Sequence, residues 1–391
     1  MKAAHIPLLL TMLTACSSEW HLPELALVRR TDARLRNTSL DVEPAPAVAG
    51  AHSDTLPWTG STSRGDTTFF NQGRVVTSTL VMIDSQWVRL TPLAPFSGIP
   101  FGLFGVWSGT TLQPSTAMLT LTYGSESPAT LPVRLALARR LGLRVLTAMT
   151  GGARANYLTD GVFDMNKWKS RMSGYNTPEI RSAVARAVSE GTLIGNSVMD
   201  EPFNDGGPGN EGNSWGPKGT MSKARVDSMC GYAKAIFPML PQGVFQDYRL
   251  EPDSSYKVCE FVTSQYRVAK GSVTAYRDGA LALCRRDRHA CAFALNVLDG
   301  GIPVERKAGQ TDYAPGDCPL TSTGGPGTYF PNCRMTASQV RNFGRVLGVA
   351  GCFLTGFRYD SVFMANADNE QALRDVVATL GTRRTVSCIR M

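Results

Sequence analysis

Two short acidic motifs stand out for the chemistry their residue types allow. Val198-Met199-Asp200-Glu201-Pro202 sets two carboxylates side by side where an apolar run meets a proline, and Asp299-Gly300-Gly301 follows a second apolar run. A pair of carboxylates can divide acid and base work, one holding a proton and the other a charge. The rest of the chain offers few alternatives. Its 391 residues hold four histidines (His5, His21, His52 and His289), and only His289 lies in the well-patterned part. A Ser-His-Asp triad, a Cys-His pair or a His-rich zinc site therefore has almost nothing to be built from. Polar chemistry falls to carboxylates, tyrosines and arginines.

The elements that must position these groups read as an alternation. Short apolar strands are expected at Phe101–Trp107, Met118–Tyr123, Arg144–Thr150, Thr192–Asp200, Gly243–Tyr248, Glu260–Tyr266, Cys291–Leu298 and Cys352–Tyr359. Helical stretches are expected at Leu131–Leu141, Pro178–Glu190, Ser222–Phe237, Val273–Arg286, Thr336–Leu347 and Asn369–Leu380. Ile180, Val184 and Val188 at helical spacing, with Gly191 beyond them, show the pattern most clearly. Eight strands with crossover helices predict a (β/α)8 TIM barrel over residues 98–391. An open doubly wound sheet is the alternative, but no G-x-G-x-x-G turn follows the first strand.

In such a barrel the catalytic groups stand where strands finish. Asp200 and Glu201 end the fourth strand and Asp299 follows the seventh. Other strand ends supply polar groups of the kind a sugar site uses: Arg154 after the third, Asp247 and Tyr248 at the fifth, Gln265 and Tyr266 at the sixth, Arg358 and Asp360 at the eighth. Trp107 and Trp215 are candidate stacking platforms for the apolar face of a pyranose. No cofactor is called for. A metal-dependent hydrolase built on Asp200, Glu201, Asp247 and Asp299 is a third possibility and needs three or more of these carboxylates to converge.

With Asp-Glu-Pro on the fourth strand, the chain resembles the large superfamily of retaining glycoside hydrolases with (β/α)8 barrels, clan A. The resemblance implies that Glu201 is the general acid/base. It also implies a nucleophilic Glu at the end of the seventh strand, where this chain has the shorter Asp299. A retaining mechanism needs carboxyl groups about 5–5.5 Å apart and an inverting one about 6.5–9.5 Å, so the shorter acid bears on which outcome is open. The expected function is hydrolysis of glycosidic bonds in a poly- or oligosaccharide, with Glu201 and Asp299 as the pair. The alternative is a catalytically inactive barrel that binds glycan or a partner protein at the cell envelope.

The N-terminus carries a different signal. Lys2, a short apolar core from Ile6 to Leu13, and Leu13-Thr14-Ala15-Cys16 resemble the signal peptide and lipobox of bacterial lipoproteins. The resemblance implies lipidation at Cys16, export and a lipid-anchored place in the cell envelope, facing the outer membrane or periplasm in a Gram-negative cell. Residues 17–57 read as a flexible tether. Residues 58–97 read as a β-rich extension, with runs at 74–83 and 86–90, that packs on the barrel.

Of nine cysteines, setting Cys16 aside leaves Cys230, Cys259, Cys284, Cys291, Cys318, Cys333, Cys352 and Cys388, an even number suited to disulfides in an oxidising compartment. Neighbour pairing is structurally sensible: Cys318–Cys333 would close a Gly/Pro-rich loop and Cys284–Cys291 would tie a helix end to the next strand. No Cys-x-x-Cys occurs, which argues against zinc. The net charge of +8 comes from short basic clusters without interleaved aromatics. That pattern reads as a solvated basic face and not as a nucleic-acid surface.

Overall fold

Eight short, mostly buried runs alternate with stretches of helical period, and each run forms a strand. The structure, a computed structural model, describes the backbone of three strands between residues 63 and 90. It then describes residues 98–390, apart from 114–115, 117, 204–211, 214, 218, 251–253, 299 and 303–333. The signal peptide, the tether, Cys16, Cys318, Cys333 and Asp299 lie outside the described residues.

Eight parallel strands close on themselves in chain order: Phe101–Phe104, Leu121–Ser125, Arg144–Ala148, Leu193–Asp200, Gln242–Phe245, Phe261–Tyr266, Ala290–Asn296 and Leu354–Phe357. Leu193 pairs with Val145 and Leu354 with Phe101, so the sheet has no free edge. The fold is a (β/α)8 barrel. All eight expected strands are present, the first and the eighth three to four residues shorter than expected. Trp107–Ser108 turns back on Thr111–Leu112 as a small hairpin beyond it.

The helices follow from local chemistry. Helix Leu131–Leu141 stops at Gly142, whose left-handed backbone (φ 67°) lets its N–H and that of Leu143 reach Arg139 and Ala138 carbonyls. Helix Ala337–Leu347 opens on a capping box: Thr336 accepts from the Gln339 N–H and the Gln339 side chain accepts from the Thr336 N–H. Helices Pro178–Ser189, Lys223–Ile236, Val273–Asp287 and Ala367–Gly381 match the remaining expectations within a residue or two. Helix Met165–Ser173 is additional. Its pattern is weak because only Trp168 and Met172 are buried, but Asp164, accepting from the Asn166 and Lys167 N–H groups, marks its start.

The barrel interior is filled by complementary sizes. Leu121, Tyr123, Leu146, Phe245, Phe261 and Phe353 occupy it, and Ala290, Ala292 and Ala294 leave them room along the seventh strand. Phe261 fits only because two neighbours are glycine: a Cβ on Gly243 would stand 2.4 Å from its ring and one on Gly195 2.9 Å. Two further clusters fill the layer between strands and helices. Disulfides join Cys284 to Cys291, as expected, and also Cys230 to Cys259 and Cys352 to Cys388. Separately, Ser63–Asn71, Arg74–Ile83 and Gln86–Leu90 form a three-stranded antiparallel sheet, one strand more than the two runs predicted.

Candidate functional site

Where the fourth strand ends, the chain turns sharply. Glu201 adopts a left-handed backbone (φ 46°), a conformation rare and strained for a residue with a Cβ. Its N–H donates to the Phe245 carbonyl at 2.8 Å, tying the ends of strands four and five together. The preceding carbonyl, that of Asp200, accepts from the Trp215 indole Nε1 at 3.0 Å. Both acids are thus held by main-chain hydrogen bonds at the C-terminal mouth of the barrel.

The electrostatics separate Asp200 from an ordinary surface acid. Asp200 is exposed at the rim, yet the atoms crowding its carboxyl and then the charge of Glu201 push its pKa up, to about 7, and Arg154 offsets only part of this. Tyr123, inside the barrel on strand two, lies stacked on Phe245 with centroids 4.9 Å apart. Its hydroxyl is pushed well above its ordinary pKa by burial and then by the Asp200 charge, with a hydrogen bond to Ser197 opposing. The Asp200 charge is thus felt at the Tyr123 hydroxyl inside the barrel.

Arg154 stands on a short 3-10 turn, Arg154–Tyr157, after strand three, with its guanidinium 4.9 Å from the Trp215 ring centroid. On strand eight, Phe357 stacks with Phe104 at 5.9 Å, and the Phe357–Arg358 peptide bond is cis. The Arg358 guanidinium lies 6.0 Å from the Phe357 ring. Strand alternation from Phe261 through Thr263 turns Gln265 inward as well. The mouth so brings Asp200, Glu201, Arg154 and Gln265 to the rim above the rings of Tyr123, Phe245, Phe104 and Phe357, with Arg358 following Phe357 on strand eight.

Several expected residues belong elsewhere. Tyr266 lies on the other face of strand six: its hydroxyl donates to the Gly271 carbonyl at 2.6 Å and its ring packs on Tyr276 and Phe343. Asp247 is held by Lys270 at 2.8 Å and Arg249 at 2.9 Å. Burial would raise its pKa, but hydrogen bonds from Arg249 and the Lys270 charge win, and it is lowered. Tyr248 packs edge-on against Tyr276, 5.0 Å away. Asp360 caps the short helix Ser361–Met364, accepting from the Phe363 N–H at 2.7 Å, and pairs with Arg334 at 3.0 Å. These four are engaged with partners in and behind the loops after strands five, six and eight.

The two tryptophans also differ from expectation. Trp215 is 5% exposed, edge-on to Phe163 at 5.9 Å, with Arg154 against it, so it is a wall and not an open platform. Trp107 is half-buried, with the Arg134 guanidinium 5.7 Å from its ring. Asn296, by contrast, was not singled out by its sequence context. It continues the inward face of Ala290, Ala292 and Ala294 and ends strand seven at 8% exposure. The one available signal was a lone amide closing an otherwise apolar run. Among the described residues no three His, Cys, Asp or Glu side chains gather as metal ligands.

No family model matches this chain, and no curated protein matches it. Solved structures that overlay on it include xylanase A of P. fluorescens subsp. cellulosa in complex with xylopentaose, at 10% identity over 73% of this chain and 98% of that one, TM-score 0.43. Xylanase 10B of Thermotoga maritima overlays at 9% identity over 72% and 95%, TM-score 0.39. D-psicose 3-epimerase in the presence of D-fructose overlays at 10% identity over 72% and 100%, TM-score 0.38. Overlaps this low add nothing to what the closed strand order already shows, and fold does not choose a chemistry.

Proposed function

We propose that this chain is a glycoside-hydrolase-like lipoprotein of the cell envelope, cleaving glycosidic bonds in a poly- or oligosaccharide. Glu201 is the general acid/base and Asp299 the partner carboxylate. The observation that supports this most directly is the acidic pair at the end of strand four: Glu201 in a strained backbone conformation, beside an Asp200 that keeps its proton far above the usual carboxylate range. Strain and shifted titration concentrate where a fold is arranged for chemistry. In this reading Glu201 protonates the leaving oxygen, and Asp299 attacks the anomeric carbon or activates water. Protonated Asp200 donates a hydrogen bond to a sugar hydroxyl, with Arg154, Gln265 and Arg358 as further donors.

The test is hydrolysis of a glycan library by wild type and Glu201→Gln. Loss of an acid/base residue lowers turnover by about 10²–10⁴-fold. A wild type that cleaves nothing, or a variant that cleaves normally, removes the assignment. The buried Trp215 favours a second reading, a silent barrel that binds glycan or a partner protein without cleavage, since one expected sugar platform is closed off.

Envelope placement rests on Leu13-Thr14-Ala15-Cys16 and is supported by three disulfides, which persist in oxidising compartments. Among the described residues no helix is long and apolar enough to cross a membrane, so the attachment proposed is the lipid at Cys16. Metabolic labelling with a fatty acid, abolished by Cys16→Ser, checks it.

A further inference from the structure

The end of the barrel opposite the mouth carries an unusual surface. Met239, Val258, Val349, Val386 and Ile389 are all exposed, Ile389 by 51%, and all lie in the segments that lead into strands five, six and eight or in the C-terminal tail. Internal ties gather them on one side. The Cys352–Cys388 disulfide fastens the tail beneath strand eight. The Arg390 guanidinium then reaches the Tyr256 and Cys259 carbonyls before strand six and the Asp287 carbonyl before strand seven. Lys234 bridges the Pro238 carbonyl and Glu260, bringing the Met239 turn alongside. Scattered single apolar residues need no explanation, but grouped ones mark a contact surface.

The charge around this group has one sign. Lys257, Arg285, Arg288 and Arg384 are exposed at the same end. The acids there are occupied within the protein: Glu190 with Arg139 at 2.6 Å, Glu260 with Lys234 at 2.8 Å, and Asp287 with Lys223 and Arg286. An apolar patch ringed by solvent-facing cations is complementary to an anionic lipid surface, where basic groups are attracted to the headgroup charge and apolar side chains reach the headgroup boundary. The chain itself comes in at this end. Gly98 and Ile99, just before strand one, bond to Thr385 and Leu380, so the described barrel begins at this face.

We propose that this end of the barrel rests on anionic phospholipid headgroups, holding the mouth away from the membrane. The proposal rests on the envelope placement above and is independent of whether the mouth hydrolyses anything. The test uses the mature chain with Cys16→Ser, so that no acyl chain contributes, sedimented with vesicles of phosphatidylcholine alone or mixed with phosphatidylglycerol. Binding to the mixed vesicles is expected to be at least tenfold tighter, to fall with added salt, and to weaken several-fold in Ile389→Glu and in Lys257→Glu. Val362→Glu, exposed on the mouth side, should bind as wild type. Equal binding to both vesicles, no binding, or an equal loss in Val362→Glu would overturn the proposal. So would a dimer in solution that Ile389→Glu dissociates, because the face would then belong to a second copy. Fatty-acid labelling at Cys16 and the glycan assay read the other two proposals separately.

Discussion

The indole N–H of Trp215 donates to the main-chain carbonyl of Asp200 at 3.0 Å, joining a residue of the long loop to the last residue of strand four. A side chain expected to meet ligand instead fixes the backbone on which the two acids stand.

Trp215→Phe keeps the apolar wall and deletes that bond. Losing one part-buried hydrogen bond costs about 0.5–1.5 kcal/mol. The variant should unfold at lower denaturant concentration, and any activity at the mouth should fall together with the change in Asp200 titration. Unchanged stability and titration would show that the loop holds the turn without the indole.

The Asp200 carboxyl should titrate far above the usual carboxylate range in a carbon-detected NMR experiment. Its pKa is raised, from 3.8 to about 7, so the folded state binds more protons than the unfolded one and this site favours folding at low pH. The contribution fades as pH rises from about 4 through 7. Glu201→Gln removes the repelling charge and should lower the midpoint, whereas Arg154→Ala should raise it. Opposite shifts would refute the electrostatic account.

His289 is fully buried, 3.8 Å from Asp287, and its pKa is pushed down to about 4, chiefly by burial. An unfolded histidine takes up a proton near its ordinary 6.5, so stability should decline as pH falls from 6.5 toward 4. The loss is about 3 kcal/mol at most. Asp287, lowered from 3.8 to about 2 against the penalty of burial, by hydrogen bonds from Arg286 and Ser255 and by Lys223, extends the decline below pH 4. Denaturant melts across this range should lose the upper part of the slope in His289→Gln.

Two glycines in different surroundings should respond to alanine with opposite signs. Gly243→Ala drives a Cβ to 2.4 Å from the Phe261 ring in the barrel interior and should cost about 1–3 kcal/mol. Gly231, inside helix Lys223–Ile236, has open space around the added atom, so Gly231→Ala should stabilise by about 0.5–1 kcal/mol. Thermal melts of the pair decide it, and a destabilised Gly231→Ala would show that the helix packs more tightly than the structure has it.

The architecture was legible because its signals are local. Helix Leu131–Leu141 announced its end with Gly142, helix Ala337–Leu347 its start with Thr336 and Gln339, and each buried strand was a short apolar run. Helix Met165–Ser173 was not, since burying only Trp168 and Met172 leaves too thin an apolar stripe to read. Glu201 and Asp200 were legible as the polar end of an apolar strand. Their unequal roles were not, because the atoms that crowd the Asp200 carboxyl and the Arg154 charge that opposes its shift come from segments distant in sequence.

Sequence alone determined that the chain makes eight strands with helices between them and that two adjacent acids end the fourth. Periodicity, caps and strand-stopping prolines act over a few residues, so the information sits beside the element it shapes. Tertiary structure alone decided which polar strand-end residues meet in the mouth. Gln265 and Tyr266 are neighbours in sequence, yet one turns into the barrel and the other donates to Gly271 outside it. A strand reverses its facing at every residue, and whether an acid such as Asp247 remains available depends on a cation, Lys270, that only the closed barrel brings to 2.8 Å.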